Sequence, residues 1–381
     1  MKKFFWFGLL GLFLFEIANV YFIMPMPGSQ DMNSIDAAYF LYKWRWIFRV
    51  IFGLMILAGL LRGEWRRKWI LVFPIAIVCA VIYMANFQMA ADHMFYQPST
   101  VLMTAADKNQ VDADRLVIGV VNNGQAKAYP IRFLGYHHQV RDTVGGKPMI
   151  ITYCTVCRTG RVYEPVVNGK PETFRLVGMD HFNAMFEDAT TGSWWRQVTG
   201  EAITGKLKGQ QLPEVFSTQT SLAEWLRLNP GSLIMQADPK YIGSYDTTMR
   251  YESGKSKSNL TGTDSLSWNR KSWVIGVKAG EQRTAYDWNQ LKKQRLIEDN
   301  GGKVPVVLAL AQDGKSFFAF EKPSINTSFS LQNDTLFSEG HHYRIDGKGI
   351  DTSYSLKPLK AFQEFWHSWE TFNPGTKRFQ E

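Results

Sequence analysis

The chain has 381 residues, 45% hydrophobic and 20% charged, long enough for more than one folded domain. Its formal net charge of +9 invites a nucleic-acid reading. Much of that excess, however, is Lys2, Lys3, Lys43, Arg45, Arg49, Arg62, Arg66, Arg67 and Lys68, all beside apolar segments, as basic residues flank membrane spans. With no nucleic-acid-reading motif in the chain, nucleic acid is excluded as a partner.

Three apolar stretches come first, at about 4–24, 46–61 and 69–91. A hydrocarbon core needs roughly 20 helical residues, which the first and third supply. The second is short unless 40–46 continues it, with Lys43 and Arg45 snorkelling to the interface. The first stretch lacks a clear small-x-small cleavage site, so it reads as a retained span rather than a signal peptide. Glu16 within it is expected to pair with another helix, to face a cavity or to lie near the outer interface. Cys79 in the third stretch reads as a small buried apolar residue. The segment 25–38 carries Asp31 and Asp36 and no Lys or Arg, whereas 62–68 is strongly basic. By the positive-inside rule the N-terminus and the 62–68 loop are cytoplasmic, and everything after residue 91 lies outside.

The remainder repeats itself. Val117-Ile118-Gly119-Val120 returns 157 residues later as Val274-Ile275-Gly276-Val277, and Ala128-Tyr129 returns as Ala285-Tyr286. Asp142 with Gly145-Gly146-Lys147 returns as Asp299 with Gly301-Gly302-Lys303. Trp225 with Asn229-Pro230-Gly231 returns as Trp369 with Asn373-Pro374-Gly375. Each copy opens with a strand (115–121 in the first), an Asn123-Gly124 hairpin signal, a second strand at 125–129, and a short helix begun by Pro130. Further strands are predicted at 149–153, 161–165, 173–177 and around 194–203. Ser221-Leu222-Ala223-Glu224 is a capping box ahead of a helix over 221–228. The Ser-, Gly-, Thr- and Asn-rich stretch 241–271 reads as a linker or long loop.

Pieces such as V-I-G-V…A-Y-P, D-T-V-G-G-K-P, T-Y-C-x-x-C, T-G-S-W-W-R-Q and T-G-E-A-I-T-G resemble the bacterial "domain of unknown function 3179" family over roughly residues 98–378. Members of that family commonly carry a histidine ahead of the D-T-V-G-G element, and His137 stands at that position. The residues between the cysteines are often Pro-Leu in the family and are Thr155-Val156 here. The resemblance implies fold and domain extent and brings no activity with it.

The chemistry therefore rests on Cys154 and Cys157, at the end of the apolar run 148–153. In the second copy Cys154 corresponds to Leu310, Cys157 to Asp313 and His137 to Gln294, so the dithiol belongs to one copy. Three readings compete. Outside the cytoplasm the pair can be a structural disulfide. It can be a redox-active dithiol, with Arg158 and Arg161 favouring thiolate. It can be half of a metal site, completed by His137 and His181, holding zinc or copper. Haem attachment is excluded because Arg158, not histidine, follows Cys157. Trp194, Trp195 and Arg196 form a candidate aromatic and cationic cofactor-binding cleft. Asp180, Glu187, Asp188 and Glu201 are weaker acid–base candidates. No nucleophile elbow, P-loop or dinucleotide fingerprint occurs.

The sequence thus predicts an α+β, strand-rich, duplicated extracytoplasmic domain preceded by an all-α three-helix transmembrane anchor. Its parts are an anchor (1–91), a first repeat (92–240), a linker or long loop (241–271) and a degenerate second repeat (272–381). The protein is expected in the bacterial inner membrane, multi-pass, with its C-terminal part in the periplasm or outside. Its expected partners are the lipid bilayer and another membrane or periplasmic protein. The expected function is a thiol-based site in which Cys154, Cys157 and His137 act in redox chemistry or metal binding. The alternative is a non-catalytic binding or assembly module with a structural disulfide.

Overall fold

The computed structural model describes residues 1–351 and 353–380. The chain forms two compact units. One comprises Met1–Tyr96, Glu172–Arg196 and Glu201–Gln211; the other comprises Gln97–Pro171, Gln197–Gly200 and Leu212–Glu381.

In the first unit, two helices are long and apolar enough to cross a membrane, Lys2–Tyr21 and Lys68–Gln88. The middle stretch is a pair, Ile35–Lys43 and Arg45–Arg62, bent by 60°, and it passes the same test only if both helices count as one span. The break falls inside 40–46, where the sequence suggested a continuation. The side chain of Arg45 donates to the Tyr42 carbonyl at 2.7 Å, satisfying a backbone acceptor there. Glu16 is completely buried and takes two hydrogen bonds from Arg49, at 2.7 and 2.9 Å, and one from Asn86 at 2.9 Å. A carboxylate surrounded by apolar helices persists only when paired in this way. Cys79 is exposed on its helix rather than packed inside. A three-stranded antiparallel sheet, Phe174–Asp180, Asn183–Asp188 and Trp194–Arg196, belongs to this same unit. It is tied to the helical segment by the Met179 amide donating to Ile23 at 2.8 Å and by Trp194 packing edge-on against Tyr39.

The second unit holds two stretches of chain that run through the same elements in the same order. The first opens with the hairpin Leu116–Asn122 and Gln125–Pro130, turned by Asn123 and Gly124 at positive φ. The helix Ile131–His137 follows, then His138 at φ 61°, then strands Gln139–Val144, Lys147–Cys154 and Thr159–Tyr163. The second opens with the hairpin Trp273–Ala279 and Gln282–Asp287. The helix Trp288–Gln294 follows, then Arg295 at φ 63°, then strands Leu296–Asp299, Val306–Leu310 and Phe317–Glu321. The contacts match as well. Tyr129 donates to Asp142 and Tyr286 to Asp299, each at 2.8 Å. Trp225 lies under Gly119 and Trp369 under Gly276, so close that a Cβ on either glycine would sit 2.1 Å from the indole.

The segment 241–271 has little regular structure but is packed. Tyr241, Tyr245 and Glu252 are buried, and Glu252 accepts from Arg115 at 2.9 Å and from the Leu116 amide at 2.7 Å. It is a strap against the first half of this unit rather than a free linker.

Candidate functional site

Cys154 is the last residue of its strand, and Thr159 begins the next, paired directly across from it. The Cys-Thr-Val-Cys turn closes through Arg158 in the left-handed region, at φ 56°. The run Ile150–Cys154 is wholly buried because this central strand of its sheet is covered on both faces. Both cysteines are free thiols with no exposed surface. They are hydrogen-bonded to each other through their sulfurs, and Cys157 also bonds to Ser368. Burial pushes the Cys157 thiol well above its ordinary value, the bond with Cys154 pushes the same way, and Ser368 pulls it back.

The surroundings come from far along the chain. The Cys157 carbonyl accepts from the Phe365 amide at 3.0 Å. Beside it Glu364, fully buried, receives a short ion-pair contact from Arg161. Glu364 also accepts from Thr159 at 3.0 Å and from Ser368 at 2.8 Å. Ser368 has one hydroxyl proton, so Glu364 and a Cys157 thiolate compete for it. Lys271 donates to the Val156 carbonyl at 3.0 Å and to Leu260 at 2.5 Å, which pins its ammonium over the turn. Burial lowers the Lys271 pKa, and negative charge on Cys157 or Cys154 would restore it. Arg158 points elsewhere, stacking on Trp273 at 3.6 Å and donating to Gln363 at 2.9 Å. Of the two arginines expected to favour thiolate, Arg158 is thus spent on packing, and Arg161 is spent on Glu364.

The other predicted site residues lie in different surroundings. His137 is buried at the end of its helix, bonded to the Tyr245 hydroxyl at 2.7 Å and ringed by Tyr136, Tyr241 and Tyr245. His181 belongs to the first unit, where it bonds to Asp180 at 2.7 Å. Burial alone would raise the Asp180 carboxyl, but His181 and Arg196 hold it below its ordinary value. Among the described residues no group of three or more His, Cys, Asp and Glu side chains converges as a metal site would require. Of the four residues expected to hold zinc or copper, Cys154, Cys157 and His137 belong to the second unit and His181 to the first. Trp194 and Trp195 are buried, with indole N–H groups spent on Glu187 and Asp188. They fill core rather than line an aromatic cleft, and Arg196 is paired with Asp180.

Glu364, Ser368 and Lys271 escaped sequence reasoning. No local signal marks them: Thr159 and Glu364 are 205 residues apart. Only the matching Trp369 points to the helix that carries Ser368.

Residues 96–376 match a family described as "Protein of unknown function (DUF3179)". No curated protein and no solved structure matches the chain.

Proposed function

We propose that this chain, which belongs to the DUF3179 family of proteins of unknown function, is a membrane-anchored protein with an extracytoplasmic redox dithiol at Cys154 and Cys157. The observation that carries the reading is the pair itself: two buried, reduced thiols hydrogen-bonded to each other, with Ser368 and the Glu364–Arg161 ion pair alongside. Closing the S–S bond removes two electrons and two protons from the thiols. The acceptor is a disulfide-bearing partner, whose own bond opens to two thiols when a local opening of the turn exposes the buried sulfurs. Ser368 is placed to hold the thiolate that forms first on Cys157, and Lys271 to offset its charge. His137 is given no role in this step; its Nε2 is bonded to the Tyr245 hydroxyl at 2.7 Å.

The matching elements and contacts of the second unit support a duplication. Under it, one turn in each copy braces a helix start in the other. The Cys154–Thr159 turn receives the Phe365 amide ahead of the helix Trp366–Phe372. In return Asp313, which corresponds to Cys157, accepts from Ser221, the cap of the helix Leu222–Leu228. The dithiol therefore occupies a bracing position, and the second copy completes its surroundings.

The test is a redox titration of the full chain in detergent, trapping thiols with a mass-tagged maleimide. A reversible two-electron transition between about −300 and −120 mV, abolished by Cys154→Ser, supports the reading. A disulfide that resists reduction below about −300 mV marks a structural bridge and overturns it.

A further inference from the structure

Where the ends of the apolar helices meet in the first unit, a cavity of about 480 Å³ opens between Asn19, Arg45, Asn86, Asp92, Arg175 and Glu187. Its charges are unevenly satisfied. Arg175 is shared between Glu187 at 2.7 Å and Asp92 at 3.1 Å. Arg45 donates to the Tyr42 carbonyl at 2.7 Å and lies over its ring at 3.9 Å, and among the described residues it has no carboxylate partner. Asn19 is buried, yet its side-chain oxygen has no hydrogen-bond partner. A buried acceptor left unfilled is costly, so a donor belongs there. Val20, Ile23 and Met89 supply an apolar wall beside these groups. Trp44, Trp46 and Tyr83 stand exposed on the same helices, the residue types that mark a membrane interface.

From this we infer that the cavity binds a phosphoethanolamine headgroup, its phosphate on Arg45 and its ammonium on Asn19 and Asp92. The inference rests on the reading that these helices span a bilayer. An anionic headgroup fits worse, because it brings no cation to set against the carboxylates of Asp92 and Glu187. A zwitterion supplies both an anion for the Arg45 guanidinium and a donor for the Asn19 oxygen. Lipid and soluble phosphoethanolamine esters share this chemistry.

Native mass spectrometry of the full chain in detergent separates the cases, with phosphatidylethanolamine, phosphatidylglycerol and glycerophosphoethanolamine as probes. The expected result is one phosphatidylethanolamine per chain, held at least about tenfold more tightly than phosphatidylglycerol. Arg45→Gln and Asn19→Leu should each weaken it about tenfold. Glycerophosphoethanolamine binding as tightly as the lipid would assign the same site to a soluble ester. Equal retention of both lipids, or retention unchanged in both variants, would overturn the inference. Alkaline carbonate extraction addresses the membrane reading alone: release of the chain from membranes sinks that reading whatever the lipid result.

Discussion

Two buried titratable groups have opposite consequences when altered. Arg161 and Glu364 are both without exposed side-chain surface. Breaking this pair from the Glu364 side leaves the buried Arg161 with the longer contact to Glu214, at 3.4 Å, and strips it of its close partner. Glu364→Gln should therefore destabilise the protein by about 3 kcal/mol, read as a lowered thermal midpoint of the full chain. His138 behaves differently. Burial lowers its pKa to about 4, while the unfolded chain titrates near 6.5. The unfolded state thus binds more protons between those values. Stability from the neutral ring is complete above pH 6.5 and is lost as pH falls toward 4. The loss is on the order of 3 kcal/mol. His138→Asn tolerates the left-handed backbone and should flatten this acid limb; identical limbs in variant and parent would refute the assignment. At this scale the sequence yielded the dithiol and little of its environment. Cys154 and Cys157 are only three positions apart in the chain, whereas Ser368 and Glu364 reach them only through folding. The partners of the histidines, Tyr245 for His137 and Asp180 for His181, were not legible, because a histidine's type says nothing about which neighbour takes its nitrogen.

Elements were more legible than sites. The Asn123-Gly124 hairpin, the helix entry at Pro130 and the Ser221 cap form where local rules put them, and Ser221 does accept from the Glu224 amide at 3.1 Å. Strands such as Gln139–Val144 and Asn183–Asp188 escaped because polar residues interrupt any clean alternation. The tryptophan positions show what the repeated motif is for. A bulky indole needs a strand neighbour without a side chain, and the paired glycines provide it. Gly276→Ala should cost at least about 2 kcal/mol through overpacking against Trp369, and Gly119→Ala a similar amount against Trp225. Chemical denaturation of each variant checks both, and a neutral effect at either position would contradict the packing described.

For the molecule as a whole, charge and hydropathy carried the reading furthest. They marked the apolar helices, but not the bend at Trp44, nor the sheet of 174–196 that joins those helices in one unit. Both depend on contacts between distant segments, as does the pairing of Glu16 with Arg49. The orientation can be checked directly: an alkaline phosphatase fusion after Ala91 should be active in a bacterial host, and an inactive fusion would reverse the assignment. The separation of Thr159 from Glu364 by 205 residues also has a consequence in time. A chain is made from its N-terminus, so the sulfurs emerge long before the carboxylate and hydroxyl that will enclose them. During that interval they titrate as ordinary exposed thiols, open to any oxidant they meet. The enclosure that raises the Cys157 thiol is thus acquired only once the C-terminal helix has been made and has docked.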